Sequence, residues 1–232
     1  MVESQKYALI TGGSRGFGAA FACLLAQKGY HLILLSKQKK GLTETDDQVR
    51  KLGGNATLIP FDLRNVDLID ALAFSIAERF PHIDLLMLNA AYLGQLRPLT
   101  HITNEFWDDC ISTNLTSNFR LLRGLEPLLK KTPQSDLIFV NDALAENPQP
   151  FWGPYAISKA GFLAMAHIYK AETASVTNIN THIFMPHPMP THLRDKAMPG
   201  EDKNALTSCD EEALRLWAEI QNTTMQELKK TA

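Results

Sequence analysis

The segment 11–18, with the sequence TGGSRGFG, restricts the possible folds of this chain more than any other. It follows the apolar run 7–10 and precedes the amphipathic segment 19–28, so it predicts a strand, a tight turn and then a helix. Its glycines permit the turn and leave room for a phosphate at the start of the helix, where free N–H groups and the helix dipole favour an anion. Taken alone, the segment is equally compatible with a glycine-rich turn that binds nothing.

Length and composition indicate one domain and exclude several classes of partner. The chain has 232 residues, enough for one α/β domain over 1–232, and its formal net charge of −2 gives no indication of nucleic acid or an anionic membrane. Its three cysteines are far apart and form neither a disulfide framework nor a zinc motif. The N-terminus does not resemble a signal peptide, and no run approaches the ~18 apolar residues of a membrane span. We therefore expect a soluble, cytoplasmic protein.

Apolar runs alternate with helical patterns along the chain, which predicts an α/β fold. The predicted strands lie at 7–11, 31–36, 57–62, 85–89, 137–141 and 180–185. The predicted helices lie at 17–28, 42–52, 66–79, 105–130, 155–174 and 210–228. Because the strand runs are continuously apolar, we expect a doubly wound, Rossmann-like parallel sheet of six strands, or seven, with helices on both faces. Ligands bind such sheets at the carboxyl ends of the strands, where two proline-containing loops would lie.

Tyr155 and Lys159 are the clearest candidates for catalysis. They are four residues apart on a predicted helix, so their side chains are adjacent on one face. A phenol has an ordinary pKa near ~10, and a neighbouring ammonium stabilises the phenolate and lowers that pKa. The pair is therefore suited to general acid–base catalysis near neutral pH.

The T-G-x-x-x-G-x-G pattern of segment 11–18, followed by Asn114 and the Y-x-x-x-K pattern at Tyr155, resembles the short-chain dehydrogenase/reductase family. This resemblance implies an oxidoreductase that interconverts a carbonyl and an alcohol of a small molecule by hydride transfer. Tyr155 would be the general acid/base, Lys159 its pKa-lowering and ribose-binding partner, and Asn114 a residue that kinks its helix and orders a water for proton relay. The resemblance also implies a homodimer or homotetramer.

A nicotinamide dinucleotide site at the ends of the predicted strands is a further implication of the resemblance. Its residues would be Thr11, Gly12, Ser14, Arg15, Gly16, Phe17, Gly18, Lys37, Asp62, Leu63, Asn89, Ala90, Ala91, Tyr155, Lys159, Pro186, His187, Met189 and Thr191. Among these, Asp62 would bond the adenine amino group, with a turn or helix-capping role as the alternative. Asn89 is expected to tie neighbouring loops together.

The residues after the second predicted strand favour NADP(H) over NAD(H). An NAD-binding fold usually carries an acidic residue there for the ribose 2′-hydroxyl, whereas this chain has Lys37 in the sequence SKQKK. Arg15 in segment 11–18 is a second cation that could face the same ribose. Two cations without a carboxylate favour a 2′-phosphate. The alternative is that these lysines form a solvated helix start.

Asp142 is the main departure from the family pattern. The family places a serine thirteen residues before the tyrosine to donate a hydrogen bond to the substrate carbonyl, and here that position is Asp142. An ionised carboxylate cannot donate, repels a developing alkoxide and raises the pKa of a nearby tyrosine. Asp142 could be protonated once cofactor and substrate exclude water, or Asn141 could donate instead. If neither holds, the site has lost reductase activity, and the protein is a non-catalytic NADP(H)-binding sensor or scaffold.

Other departures lie near the same predicted site. Ala91 and His187 replace glycines of the family pattern, and no run for the family's usual seventh strand is evident after the last predicted helix, so either the sheet has six strands or its edge is covered differently. The histidines at 182, 187 and 192 recur every five residues, a spacing that places them on no common face, so we predict no metal site. Residues expected to shape the substrate entrance are Gln149, Phe151 and Trp152.

Overall fold

The six apolar runs form one parallel sheet in the computed structural model, which describes residues 5–231. The strands are β1 Lys6–Thr11, β2 Tyr30–Ser36, β3 Asn55–Pro60, β4 Leu85–Leu88, β5 Ser135–Val140 and β6 Ile179–Phe184. Their order across the sheet is β3-β2-β1-β4-β5-β6, and every neighbouring pair is parallel. The chain winds outward in both directions from the junction of β1 and β4, which is where ligands bind in doubly wound sheets.

The described residues form eight α-helices, six of which cover the two faces of this sheet. They are α1 Gly16–Gln27, α2 Lys39–Lys51, α3 Ile69–Arg79, α4 Asn104–Ile111, α5 Ser117–Leu129, α6 Gly153–Thr173, α7 His192–Ala197 and α8 Cys209–Thr231. One face packs against α1, α2 and α8, and the opposite face packs against α3, α5 and α6. Successive strand residues alternate between these two cores, so Ala8 and Ile10 enter one and Leu9 enters the other. The continuously apolar strands are explained by this double coverage, and the predicted α/β fold class is confirmed.

The helical elements differ from the predictions in two places. The predicted helix 105–130 is divided into α4, a π-helical turn Ser112–Thr116 and α5. The short helix α7 was not predicted, because its six residues carry no apolar periodicity. Within residues 5–231 the sheet has six strands and no seventh, and α8 packs on α1 and β6. Every helix in this range is too short or too polar to cross a bilayer.

Candidate active site

A cavity of about 580 Å³ lies at the carboxyl ends of the strands, over the junction of β1 and β4. Its wall contains every residue predicted for the cofactor and catalytic sites except Thr11 and Asn114. The sequence-predicted residues therefore come together in one place, although they are spread over nearly two hundred positions of the chain. The two exceptions lie behind the wall and support it.

The glycine loop, residues 11–18, forms one end of this cavity and is constrained by its backbone. Gly12 and Gly16 have positive φ angles of 71° and 56°, which side-chain-bearing residues rarely adopt. A Cβ at Gly18 would lie 2.5 Å from the carbonyl oxygen of Gly12. Helix α1 begins at Gly16, and among the described residues no side chain caps its first turn. The N–H groups of that turn therefore remain available to an anion.

Thr11 links the glycine loop to the end of β4 instead of lining the cavity. It is fully buried, and its Oγ1 accepts hydrogen bonds from the backbone N–H groups of Asn89 at 2.9 Å and Ala90 at 3.0 Å. The Asn89 side chain returns the contact by donating to the Thr11 carbonyl at 2.9 Å. Thr11 is thus placed to hold β1 and β4 together where the sheet opens. The expected loop-tying position of Asn89 agrees with these contacts.

The cations predicted for the ribose end both line the cavity, whereas Asp62 is bound by a residue that the sequence did not reveal. The Lys37 ammonium lies 5.9 Å from the centre of the Tyr92 ring. The Arg64 guanidinium donates to Asp62 Oδ2 at 2.7 Å, and the Arg64 backbone N–H donates to Oδ1 at 3.1 Å. The Arg64 side chain therefore holds the pKa of Asp62 below its usual value. Both carboxylate oxygens have partners within the protein, and the assignment of Asp62 to the adenine amino group stays a prediction.

Asp142, Tyr155 and Lys159 form the reaction end of the cavity. The Tyr155 hydroxyl donates to Asp142 Oδ2 at 3.1 Å, and the Lys159 ammonium donates to the Val140 carbonyl at 2.9 Å. Burial raises the pKa of Tyr155 well above its ordinary value, and the Asp142 carboxylate raises it further. Burial also lowers the pKa of Lys159 to about 8, although the negative charge of Asp142 opposes that shift. In this arrangement the expected lowering of the tyrosine pKa by the lysine does not prevail.

Asn114 lies in the π-helical turn between α4 and α5 and connects three segments behind the cavity. Its Oδ1 accepts from the backbone N–H of Tyr92 at 2.7 Å. Its Nδ2 donates to the Tyr92 carbonyl at 2.9 Å and to Ser158 Oγ at 2.9 Å, on the helix of the catalytic candidates. The side chain thereby fixes α6 against the end of β4. Its assignment to a water relay stays a prediction.

Two buried polar groups in the cavity wall have no hydrogen-bond partner among the described residues: the amide nitrogen of Asn141 and the hydroxyl of Thr113. A buried donor without a partner costs free energy, so each is expected to meet a ligand or an ordered water. Asn141 stands next to Asp142, whose backbone N–H bonds its Oδ1 at 3.0 Å. Unused hydrogen-bonding capacity thus lies just behind the cavity wall, close to the reaction end.

His187 lines the cavity and is held by the C-terminal helix. Its Nδ1 lies 2.7 Å from Glu212 Oε1, and its backbone N–H donates to Glu212 Oε2 at 3.2 Å. Glu212 is buried and also accepts from Arg215 at 2.7 Å, while Arg215 donates to the Met185 carbonyl. Helix α8 therefore fixes the loop after β6, a role for Glu212 that the sequence did not reveal.

The other histidines have separate surroundings. His182 pairs with Asp136 at 2.8 Å inside the sheet, away from the cavity wall, and His192 lies on α7 at the cavity. Among the side chains that the structure describes, no group of three metal-binding residues occurs. His187 and His192 therefore enter the site singly.

Comparisons with known proteins agree with this geometry. The family model described as short chain dehydrogenase matches residues 6–202. The chain belongs to the short-chain dehydrogenase family. It is 28% identical to the uncharacterized oxidoreductase YciK of Escherichia coli K12, over 92% of this chain and 86% of that protein. It is 32% identical to the 3-oxoacyl-[acyl-carrier-protein] reductase FabG of Vibrio cholerae, over 73% of this chain and 68% of the reductase.

Solved structures of short-chain dehydrogenases have the same architecture. The oxidoreductase yciK from E. coli aligns with a TM-score of 0.84 at 27% identity, covering 91% of this chain and 88% of that one. A short-chain dehydrogenase from E. coli CFT073, complexed with NADPH, aligns with a TM-score of 0.83 at 27% identity, covering 91% and 89%. The fold and the family of this chain are therefore established by sequence and structure together.

Apolar side chains surround the reaction end of the cavity in this short-chain dehydrogenase. Trp152 lies with its ring centre 5.9 Å from that of Tyr155, and Leu144, Leu193 and Ala197 pack in the same cluster. Leu193 and Ala197 come from α7, so this unpredicted helix builds part of the entrance. Of the residues expected to shape that entrance, Gln149 and Trp152 line the cavity. Phe151 instead projects into solvent, more than half exposed, with a φ of 73°.

Proposed function

We propose that this protein is an NADP(H)-dependent oxidoreductase that interconverts a carbonyl and an alcohol of a small molecule. The observation that carries the proposal is the placement of Tyr155 and Lys159 in the same cavity as the glycine loop. A phosphate-binding backbone and a proton-donating side chain thus open into one space. The location in the cytoplasm and the homodimer or homotetramer remain predictions.

The residues present fit a nicotinamide dinucleotide phosphate. The uncapped first turn of α1 and the positive-φ glycines provide a cradle for a diphosphate, which any Cβ at Gly18 would obstruct. Arg15 and Lys37 would hold the 2′-phosphate, and both line the cavity. When bound, such a cofactor supplies a hydride acceptor or donor.

The protein's own contribution is proton transfer and positioning. Tyr155 would give a proton from its hydroxyl to the substrate oxygen during reduction and take it back during oxidation. Lys159 is buried, with one of its three N–H groups given to Val140, so the other two remain for a ribose and for the tyrosine. Asn114 keeps α6, and with it both side chains, against the end of β4.

Calorimetric titration of the purified protein with NADPH and with NADH tests the cofactor assignment. We expect NADPH to bind at least about tenfold more tightly than NADH, because a 2′-phosphate gains charge-assisted hydrogen bonds from Arg15 and Lys37. Substituting Lys37→Ala should reduce this preference, whereas Lys51→Ala, at the far end of α2 and outside the cavity wall, should not. Equal binding of the two cofactors, or tighter NADH binding, would contradict the assignment.

A non-catalytic sensor or scaffold is the second candidate, and one contact favours it. The Tyr155 hydroxyl is already donated to Asp142, which is not a donor for a carbonyl substrate. A sensor would bind NADPH but consume none, and would gain carbonyl reductase activity in the Asp142→Ser variant. An enzyme already consumes NADPH in its wild-type form.

A further inference from the structure

The position that faces the Tyr155 hydroxyl is a hydrogen-bond acceptor, which restricts the substrates that fit. Asp142 receives the Tyr155 hydroxyl on Oδ2 at 3.1 Å and the Leu144 backbone N–H on Oδ1 at 2.9 Å. A ketone oxygen is also an acceptor, so it gains no hydrogen bond from the carboxylate, and its developing negative charge is repelled. A substrate nitrogen that carries a hydrogen has the opposite properties. It donates to Asp142, and a positive charge on it is attracted.

We propose that this site reduces a protonated cyclic imine to the corresponding amine in preference to a ketone, with Asp142 Oδ2 accepting the substrate N–H. This inference rests on the proposed hydride-transfer function and names the substrate class for it. A carboxylate oxygen has two acceptor positions, so Oδ2 can serve the Tyr155 hydroxyl and a substrate N–H together.

The charges around Asp142 leave it as the acceptor at the reaction end. The Lys159 ammonium faces it from α6 but donates to the Val140 carbonyl at 2.9 Å. The Arg194 guanidinium faces it from α7 and donates to Glu201 at 2.6 Å. Both cations thus have partners of their own, and Asp142 keeps the free acceptor position on Oδ2.

The walls of the reaction end suit an apolar or aromatic ring that carries such a nitrogen. Trp152 adjoins Tyr155, and the wall continues through Leu144, Leu193 and Met198. An indole face attracts a nearby cation, so Trp152 adds to the preference for a protonated nitrogen. Burial of the ring against these side chains provides the remaining affinity.

The reduction of a protonated imine balances without a proton from Tyr155, whose hydroxyl faces the Asp142 carboxylate. Hydride from the reduced nicotinamide adds to the imine carbon, and the π electron pair of the C=N bond becomes the lone pair of the nitrogen. A protonated imine becomes a neutral amine, and the cofactor becomes oxidised. Since the substrate brings its own proton, Tyr155 does not have to become a phenolate beside Asp142. A ketone would require that step, which burial and the negative charge of Asp142 disfavour.

The test uses matched probes and begins with binding. In the presence of NADP⁺, the full-length protein is titrated by calorimetry with tetrahydroisoquinoline, which is an ammonium at neutral pH, and with isochroman, its uncharged oxygen isostere. We expect the wild type to bind the ammonium at least about tenfold more tightly, as a charge-assisted hydrogen bond provides. The preference should disappear in Asp142→Asn, which keeps an oxygen for the Leu144 N–H but loses the charge.

Asp202→Asn is the control for this substitution. Asp202 caps the short turn Lys203–Ala205 by accepting from the Asn204 N–H at 3.0 Å, just as Asp142 caps Ala143–Ala145, and it lies outside the cavity wall. The Asp202→Asn variant should prefer the ammonium over isochroman as strongly as the wild type does. In turnover, kcat/KM with dihydroisoquinoline should exceed kcat/KM with tetralone, and Asp142→Ser should reverse this order.

Two outcomes overturn the inference while the proposed function stands. One is equal binding of the two probes by the wild type, or a preference that survives in Asp142→Asn. The other is faster reduction of tetralone than of dihydroisoquinoline, with loss of that activity in Asn141→Ala, which would identify Asn141 as the donor to a carbonyl. Absence of NADPH binding, measured first on the same sample, would instead overturn the proposed function as well.

Discussion

The glycine loop and the reaction end share one cavity but are built by different means. The glycine loop depends on backbone geometry: positive φ angles, close contacts without room for a Cβ, and the uncapped turn of α1. The reaction end depends on which side chains face one another, above all Asp142 and Tyr155. Backbone requirements restrict the sequence to glycine and are visible in it. Side-chain chemistry can change through one substitution while the fold remains the same.

Tyr155→Phe should have the largest effect and should act on the reaction end alone. Loss of the hydroxyl removes the proposed proton donor to a carbonyl oxygen, so we expect turnover of tetralone, the ketone probe, to fall about a thousandfold. NADPH affinity should stay within about twofold of the wild type, because the glycine loop is unchanged. Steady-state kinetics and calorimetry on the same preparations measure both quantities.

Tyr169→Phe is the matched control, since Tyr169 lies on the same helix and donates to Glu126 at 3.1 Å, outside the cavity wall. It should retain normal turnover. If Tyr155→Phe keeps its activity, Tyr155 is not the acid/base. If it loses NADPH affinity to the same degree as turnover, the residue supports the cavity instead of the chemistry.

Gly18→Ala should have the opposite pattern of effects, with lower NADPH affinity and nearly unchanged turnover. Its Cβ would lie 2.5 Å from the Gly12 carbonyl oxygen and 2.7 Å from Asn89 Nδ2, so the loop or the end of β4 must move. We expect NADPH affinity to fall about thirtyfold, which corresponds to ~2 kcal/mol of lost binding, within the range that overpacking costs. Turnover at saturating NADPH should change by less than about threefold.

Gly200→Ala controls for the loss of a glycine, because nothing lies within 4 Å of its added Cβ. It should bind NADPH as the wild type does. Unchanged NADPH affinity in Gly18→Ala would show that the glycine loop is a structural turn, the alternative that the sequence left open.

Local patterns in the sequence were sufficient for the sheet, whereas the residues that surround the cavity were predicted mainly from the family resemblance. A fully buried strand such as Leu85–Leu88 must be apolar throughout, and it is. The family resemblance singled out Asn114, but its partner Tyr92 could not be identified from spacing. Similarly, nothing along the chain links Glu212 to His187, 25 positions earlier, since their contact exists only after α8 docks.

The unpredicted helix α7 shows a second limit. Its six residues are too few for helical periodicity, and its formation depends on Thr191, whose hydroxyl accepts from the Arg194 N–H at 3.3 Å. A threonine following Pro190 was the available signal. Arg64 and Asp62 are only two residues apart. The sequence alone, however, does not distinguish an aspartate that pairs with an arginine from one that binds an adenine.

The smallest expected effect is a change in the pH dependence of turnover, caused by the charge interaction between Lys159 and Asp142. Burial lowers the pKa of Lys159 to about 8 and the Asp142 charge opposes this, while the pKa of Cys110 is raised to about 11 by burial and that of Tyr155 lies well above its usual value. Lys159 is therefore the reaction-end group that loses a proton near pH 8, and kcat/KM should fall as pH rises through that value. Asp142→Asn removes the opposing charge, so the pKa of Lys159 should fall further and the descending limb should move to lower pH. At pH 8, kcat/KM relative to its plateau value should be about threefold lower than in the wild type. Asp202→Asn should leave the limb in place. A limb that stays at the same pH in Asp142→Asn would mean that the two charges do not interact across the cavity, and the reaction end would then be two independent sites.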